Sequence, residues 1–272
     1  MPAGVEIEIR GRYSMKVAVL ASGSRGNCLY VEGESGAVLV DAGLSAREVL
    51  RRLDEAGGDR ALVEAILVTH EHTDHIAGVD VLARKLGVPV VGTGGTLAEF
   101  LAYRKRSDKE VRCITARLDD SLFVGDLSVE PFHTHHDAAE PCGFCIREGD
   151  TIVGCCTDTG TVSEEMKKRL RRCSAIVLES NHCPEMLKNG PYPAFLKRRI
   201  RSRTGHLSND DAAACLRSLA SDIQTVILAH LSEVNNTPEK AAASARNGLG
   251  LYQDAIYLDV GLQHRPGTLH SV

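Results

Sequence analysis

Three histidines and one aspartate, all able to bind metal ions, lie within six positions of the sequence, in the segment His70-Glu-His72-Thr-Asp74-His75. They directly follow Ala65–Thr69, an apolar and β-branched run that predicts a strand buried on both faces. The cluster therefore lies on a loop at the carboxyl end of a strand, a common place for chemistry on a rigid scaffold. Since one tetrahedral zinc ion would leave one of the four side chains idle, we expect two centres.

Further ligands for two centres must come from other strand ends, and three places in the sequence fit. The first is the segment His133-Thr-His135-His136, the second is Asp158, and the third is His230. Each follows a run that predicts a strand. One such histidine alone is more often structural than a ligand, but three places in series favour a metal site. The spacing leaves open which of the three histidines in the first segment contributes.

Two divalent cations about 3.5–4 Å apart would lower the pKa of a bridging water and offset charge that develops on a substrate oxygen. Asp74 is placed to accept a hydrogen bond from the nucleophile and to aim it. Such sites hydrolyse amides, thioesters or phosphodiesters, so the metal ligands by themselves do not identify the substrate.

A basic segment offers a clue to the substrate. Residues 186–209 contain no Asp or Glu, and their basic side chains are Lys188, Lys197, Arg198, Arg199, Arg201, Arg203 and His206. Such runs usually form a solvated helix face, as we expect of 167–172. This run, however, leads into Gly205-His206-Leu-Ser208 at the predicted start of a helix. A helix N-terminus with free amides suits a phosphate oxygen, so we predict that Arg198, Arg199, Arg201 and Ser208 contact a phosphodiester.

The loop Ser22-Gly-Ser-Arg-Gly-Asn27 is rich in glycine, so its backbone and the side chains of Ser24 and Asn27 are further candidates for phosphate contacts. An equally good interpretation is a tight turn between the first two strands. Asp41 follows another predicted strand, and we expect it to orient a metal ligand without being one.

Composition limits the protein class without naming a function. The chain has 272 residues, a formal net charge of −4 and 43% hydrophobic residues, which excludes a generally basic nucleic-acid coat. No apolar stretch is long enough to predict a membrane span. Nine cysteines, an odd number without a regular framework, predict reduced thiols and a cytoplasmic location. The Cys142-Gly-Phe-Cys145 pair lies in a predicted strand, and we assign it no metal or redox role. No pattern indicates an oligomeric state.

The order of elements predicts an α/β (α+β) fold. Two β-rich blocks are each followed by helices, which favours two sheets packed face to face with helices outside. We expect one domain over residues 15–262, an N-terminal extension over 1–14 and a tail over 263–272.

The ordered motifs resemble those of the metallo-β-lactamase superfamily, whose fold is a four-layer αββα sandwich with metals at one edge of the sheets. Several segments resemble its YycJ/WalJ-like branch in particular, namely Ala21–Asn27, His136–Pro141, Glu179–His182, Gly190–Pro193, Leu196–Ile200, Gly205–Asn209 and His230–Pro238. The resemblance extends over most of the chain, from about residue 15 to 260. One departure is Cys183, where the branch would have an acidic residue.

The resemblance implies specific roles. One metal would be held by His70, His72 and His136, and a second by Asp74, His75 and His230, with Asp158 bridging the two. The metals would be zinc or manganese. In the related tRNase Z enzymes a Gly-His motif serves the scissile phosphate, so His206 would be the general acid or the donor to the non-bridging oxygen, and Asp74 would be the other catalytic residue. The branch implies a 5′-to-3′ exonuclease that acts on DNA.

Three alternatives remain at this stage. A phosphodiesterase of the same fold could act on a cyclic phosphate or nucleotide, or the chain could be a regulatory module that binds metal without hydrolysis. In addition, Gly205-His206-Leu-Ser and Ala229-His230-Leu-Ser are near copies, so either histidine could be the ligand. We choose His230 because a buried strand fixes its position.

Overall fold

The computed structural model describes residues 15–105 and 108–272. The predicted extension 1–14 lies outside these residues. Within them fourteen strands form two seven-stranded sheets. The strands are β1 Lys16–Ala21, β2 Cys28–Glu32, β3 Ala37–Val40, β4 Val63–Leu67, β5 Val90–Gly92, β6 Cys113–Thr115, β7 Leu122–Val124, β8 Leu127–His133, β9 Cys142–Glu148, β10 Thr151–Cys156, β11 Ala175–Glu179, β12 Thr225–Ala229, β13 Tyr257–Val260 and β14 His270–Ser271.

The two sheets have matching topologies. Their strand orders are β14-β1-β2-β3-β4-β5-β6 and β13-β12-β11-β10-β9-β8-β7. In the first sheet the pairs from β1 to β3 are antiparallel and the pairs from β3 to β6 are parallel. In the second sheet the pairs from β7 to β10 are antiparallel and the pairs from β10 to β13 are parallel. Parallel strands end at the same edge of a sheet, so the loops after β4, β10, β11 and β12 can converge.

Helices cover the outer face of each sheet. Those in the described residues are α1 Ala46–Ala56, α2 Thr73–Ile76, α3 Val79–Leu86, α4 Gly94–Tyr103, α5 Glu164–Leu170, α6 Pro184–Asn189, α7 Ala194–Ile200, α8 Asn209–Leu219 and α9 Pro238–Leu249. None of the described helices is long and apolar enough to span a lipid bilayer.

The core has three apolar layers, because successive side chains of each strand alternate between the two faces of its sheet. In β1, Val17 and Val19 face the second sheet, whereas Ala18 and Leu20 face the helices. The central layer joins side chains of both sheets, the second lies under α1, α3 and α4, and the third lies under α5, α8 and α9. The four-layer αββα sandwich predicted from the sequence is therefore confirmed.

The Cys142-x-x-Cys145 pair lies on β9, as predicted. An odd spacing along a strand sends two side chains to opposite faces. Cys142 packs in the central layer and Cys145 in the layer under the second set of helices. The two thiols therefore do not share a centre.

The segment after β4 forms two short helices, α2 and α3, instead of one continuous helix. The carbonyl oxygen of Asp74 accepts a hydrogen bond from the Asn27 N–H, and the Gly78 N–H donates to the carbonyl of Ala42. These two groups would have bonded to each other in a continuous helix. The break fixes the loop after β4 against neighbouring loops of the first sheet.

The end of the chain also differs from the prediction. Residues 263–272 were expected to form a tail, but His270–Ser271 is strand β14 and pairs antiparallel with Lys16–Val17 at the edge of the first sheet. Its two residues are too few to show a hydrophobic period, so the pattern gave no signal. The sequence also gave no prediction for β6 and α6.

Candidate metal centre

The loop after β4 and the loop after β8 bring together the first group of predicted ligands. One ligand atom from each of His70, His72 and His136 lies within 4.8 Å of the other two. His136 Nε2 is 3.2 Å from His72 Nδ1. The side chains of His133 and His135 instead contact each other, with ring centroids 5.1 Å apart. Of the three candidates that the sequence left open, the structure therefore places His136 in the cluster.

The second group lies beside the first. Ligand atoms of Asp74, His75 and His230 also lie within 4.8 Å of one another. His230 Nε2 is 3.6 Å from Asp74 Oδ2, and His75 Nε2 is 3.7 Å from the same oxygen. The loop after β4, which continues into α2, thus contributes to both groups, and β12 supplies a histidine from the second sheet.

Asp158 lies between the two groups. Its Oδ1 is 3.8 Å from His136 Nε2 and 3.4 Å from His230 Nδ1, and its Oδ2 is 3.2 Å from His75 Nε2. One carboxylate therefore faces ligands of both groups, the position expected of a bridge.

Several buried polar atoms in the cluster have no hydrogen-bond partner. They include His70 Nε2, His230 Nε2 and Asp158 Oδ2. A buried polar atom without a partner costs free energy, and most such atoms in folded proteins are paired or bind an ion. Imidazole nitrogen and carboxylate oxygen are ligands that zinc and manganese accept. The donor set therefore fits divalent metal ions.

The backbone is strained at the same residues. Among the described non-glycine residues, positive φ angles occur at Asp41 (62°), Asp119 (70°), Asp158 (53°) and His230 (56°). Asp41 and His230 directly follow strands β3 and β12, and Asp158 lies two residues after the end of β10. Such left-handed conformations are unfavourable for non-glycine residues and persist where the surrounding structure imposes them, often at functional sites.

Asp41 contacts His75, one of the candidate ligands. Its Oδ2 lies 2.8 Å from His75 Nδ1, and its Oδ1 accepts a hydrogen bond from the Thr69 N–H. The Thr69 hydroxyl also lies 3.0 Å from His70 Nδ1. These contacts direct the remaining nitrogens, His75 Nε2 and His70 Nε2, towards the metal positions.

Glu179 is the functional residue that sequence reasoning did not assign. It is fully buried at the end of β11, and its Oε1 is 2.7 Å from His206 Nδ1 and 2.9 Å from His230 Nδ1. Burial opposes its ionisation, but the two histidines outweigh burial and lower the pKa of Glu179 to about 2. A carboxylate that ends a buried strand is the same signal that identified Asp158, so the sequence did contain it.

The structure also separates the near-copies His206 and His230. Both rings bond to Glu179 through Nδ1, but only His230 belongs to the group with Asp74 and His75. His206 lines the open cleft beside the site, and its side chain is 20% exposed. A ligand atom of His206 also lies within 4.8 Å of ligand atoms of Asp158, Glu179 and His230, so the choice of His230 as the ligand stays a prediction.

The predicted phosphate site at the start of α8 is not available. The Leu207 N–H donates to Glu179, the Asn209 N–H donates to the His182 carbonyl, and the Asp211 N–H donates to Ser208 Oγ. Ser208 is thus the N-cap of α8 and not an open ligand, and an acidic first turn would repel phosphate. The sequence did not show that these amides are already paired.

The other residues predicted to contact substrate divide into those that line the cleft and those that do not. Ser24, Arg199 and His206 line the cleft, and Arg199 Nε also donates to Asp137 at 2.7 Å. Arg198 and Arg201 are exposed but do not line it. Asn27 is buried, and its amide nitrogen lies 3.0 Å from His75 Nε2, so it contacts a candidate ligand and does not face the cleft.

Cys183 is the N-cap residue of α6, and its carbonyl accepts a hydrogen bond from the Leu187 N–H. Among the described residues it is not part of any group of candidate metal ligands. An acidic residue at this position would therefore cap a helix, so its replacement leaves the ligand set intact.

Burial and charge act in opposite directions on the histidines of the metal-free site. Burial, helped by the charge on His75, holds the pKa of His70 well below its usual value. At His230 burial is outweighed by carboxylates, Asp158 above all, which raise its pKa to about 10. Asp158 and Asp41 likewise raise the pKa of His75 well above its usual value. Protons thus occupy nitrogens that a metal would use.

We predict that zinc affinity rises with pH between pH 6 and pH 8. In this range the free protein carries protons on His75 and His230, and the metal must displace them, so each displaced proton makes the affinity rise about tenfold per pH unit. Competition with a chromophoric chelator measures the affinity. His133→Ala should show the same dependence, since His133 lies outside the cluster. An affinity that does not change with pH would contradict the prediction.

Comparison with known proteins identifies the family. A model described as a beta-lactamase superfamily domain matches residues 37–231. Exodeoxyribonuclease YycJ of Bacillus anthracis is 42% identical over 230 residues, which are 84% of this chain and 86% of the relative. Exodeoxyribonuclease WalJ of Streptococcus pneumoniae is 38% identical over 237 residues, which are 86% of this chain and 88% of the relative.

Solved structures agree on the fold. The metallo-β-lactamase fold protein YhfI from Bacillus subtilis has a TM-score of 0.73 at 16% identity and covers 95% of this chain and 100% of its own. The short form of human tRNase Z has a TM-score of 0.61 at 17% identity and covers 80% of this chain and 93% of its own. At these identities the likeness shows the fold alone. The family model and the two curated relatives establish that the chain belongs to the metallo-β-lactamase superfamily, in its YycJ/WalJ-like branch.

Proposed function

We propose that the protein is a binuclear metal-dependent phosphodiesterase that degrades DNA from an end, in the 5′-to-3′ direction. The observation that carries the proposal is Asp158, a buried carboxylate that lies between two complete groups of ligands. The names of the two relatives, both exodeoxyribonucleases, support DNA as the substrate. The cysteines, all free, fit the reducing cytoplasm.

In this proposal His70, His72 and His136 would hold one ion and Asp74, His75 and His230 would hold the other, with Asp158 available to both. Zinc or manganese in such a site supplies hydroxide near neutral pH and offsets negative charge on the phosphate. Asp74 accepts a hydrogen bond from the nucleophile and aims it at phosphorus. Burial opposes the charge on Asp74, but His230 and His75 outweigh burial and lower its pKa, so it stays an acceptor at neutral pH.

His206 serves the leaving group. Glu179 holds its Nδ1 at 2.7 Å and thereby restricts the orientation of the ring, which lines the cleft and keeps Nε2 for the substrate in this proposal. A proton on Nε2 can then pass to the departing oxygen of the DNA backbone. Because Glu179 also holds His230, one carboxylate sets the positions of both a metal ligand and the proton donor.

The assay that tests the proposal uses the purified protein with manganese or zinc. We expect it to release nucleotides from 5′-phosphorylated duplex DNA and to hydrolyse bis-p-nitrophenyl phosphate. Asp158→Ala should lose bound metal and both activities, because its carboxylate faces both centres. Metal content is measured by mass spectrometry of the folded protein. Hydrolysis of the small ester without DNA cleavage would favour a small-molecule phosphodiesterase, and bound metal without any hydrolysis would favour a regulatory module.

His206→Ala should keep the metal content and lower the rate of DNA cleavage by about 10²–10⁴-fold, the usual contribution of a general acid. The loss should be much smaller for bis-p-nitrophenyl phosphate, since p-nitrophenolate departs without a proton. Rates with both substrates and metal analysis of the same preparation check this. Loss of metal would instead make His206 a ligand, and an unchanged rate would make it structural.

Replacing Arg198, Arg199 and Arg201 together by alanine should weaken DNA binding and spare hydrolysis of the small ester. Each lost phosphate contact lowers the slope of log affinity against log salt by about 0.9 for duplex DNA. Affinities measured at several salt concentrations give this slope. The matched control is Lys167→Ala/Lys168→Ala/Arg171→Ala on or beside α5, another basic helix, which should leave the slope unchanged. If the first variant leaves the slope unchanged, residues 198–201 form a solvated surface that does not contact DNA.

A further inference from the structure

An apolar surface lies next to the basic residues at the mouth of the cleft. Pro191, Pro193, Ala194 and Phe195 are exposed, and the side chain of Phe195 is 67% exposed. Tyr192, in the same segment, lines the cleft that contains His206. We call Tyr192 and Phe195 the aromatic rim. Single exposed apolar residues are ordinary, but this surface adjoins the candidate active site.

Helix geometry places Phe195 beside the cleft. Leu196, Arg199 and Ile200 of α7 line the cleft and define the side of the helix that faces it. Phe195 precedes Arg199 by four residues, and side chains with this spacing are neighbours on a helix surface. Phe195 therefore lies beside Arg199 on the surface of α7, next to the residues that line the cleft.

We propose that Phe195 stacks on an unpaired base of the DNA strand that enters the cleft. This inference rests on the proposed function and makes it more specific, because the substrate is then a strand end with unpaired bases. A nucleic-acid strand alternates phosphates with flat bases, and proteins that bind single strands combine cationic and aromatic side chains for this reason. The aromatic rim adjoins the cationic Arg199, so both kinds of side chain are present. Residues 186–209 contain no acidic residue, and Asp137, which also lines the cleft, is paired with Arg199.

The depth of the ligands explains why the base would be unpaired. His70, His75 and Asp158 are almost completely buried, at 1%, 0% and 2% exposure. A phosphodiester that reaches them must leave the surface of the duplex, and the neighbouring base then loses its partner and its stacking. An aromatic ring at the entrance replaces part of that lost stacking.

The test asks whether the effect of removing the Phe195 side chain on DNA affinity depends on the presence of the base. Fluorescence anisotropy measures the affinity of the full chain for a single-stranded oligonucleotide and for the same oligonucleotide with abasic sites at its end, both in calcium buffer. We expect Phe195→Ala to weaken binding of the intact strand by about 5-fold to 150-fold, the range for loss of one stacked base. The same variant should change the affinity for the abasic strand far less.

Two further variants complete the design. Phe195→Trp should restore binding of the intact strand, because its ring also stacks. Phe123→Ala removes an equally exposed ring (75%) from β7, an edge strand of the second sheet, and should change neither affinity. Equal losses for intact and abasic strands, or no loss for either, would overturn the proposal. A change in self-association measured by sedimentation, without a change in DNA affinity, would also overturn it and would assign the rim to a protein interface.

The proposed function and this inference can fail separately. Hydrolysis of bis-p-nitrophenyl phosphate by the wild-type protein tests the metal centre and does not involve a base. Discrimination between intact and abasic strands tests the rim and does not require catalysis. An active enzyme whose Phe195→Ala variant binds both strands normally would refute only the stacking contact.

Discussion

The candidate site depends on one buried carboxylate surrounded by imidazoles. Asp158 is 2% exposed, and its environment would penalise an isolated negative charge heavily. Burial raises the pKa of its carboxyl, but the charges of His230 and His75 outweigh burial and hold that pKa well below its usual value. The negative carboxylate and the positive imidazoles thus stabilise each other in a buried position where either charge alone would be unfavourable. A metal ion would take the place of the protons, because it would bring positive charge to the same atoms.

The surrounding structure keeps this arrangement in position. Asp41 and Glu179 lie beside the histidines and bond to His75 Nδ1 and His230 Nδ1. Both carboxylates are at the ends of central strands, so the sheets fix them. Left-handed backbone at Asp41, Asp158 and His230 shows that the fold holds these residues in conformations they would not adopt alone. Precise ligand geometry is therefore maintained at some cost in local conformational energy.

Substrate recognition depends on a different physical principle. The cleft beside the ligands is bordered by α7, a short helix without acidic residues, and basic and aromatic side chains lie together on it. Attraction between such a surface and a nucleic acid acts over a longer range than a metal–ligand bond and needs less exact geometry. The pairing of Arg199 with Asp137 shows that part of this charge already has a partner within the protein.

Local patterns were enough to predict much of this protein. Patterns of apolar residues identified most of the strands. The rule that ligands follow strands then identified six candidates, which the structure brings together: His70, His72, Asp74, His75, Asp158 and His230. Strand periodicity and the position after a strand depend on neighbouring residues, so they can be read from sequence alone. The resemblance to the metallo-β-lactamase superfamily added the bridging role of Asp158 and the choice of His136.

Other features were decided only by contacts between distant parts of the chain. The amides before α8 look free in the sequence, yet Glu179 and His182 from another loop already occupy them. Asn27 looks like a phosphate contact, yet the break between α2 and α3 places it against Asp74 and His75. The last strand, β14, has two residues and exists because β1 offers it an open edge. The sequence determined which groups were available for chemistry, and the tertiary structure decided which of them were already paired, because a hydrogen bond depends on distance in space and not on separation along the chain.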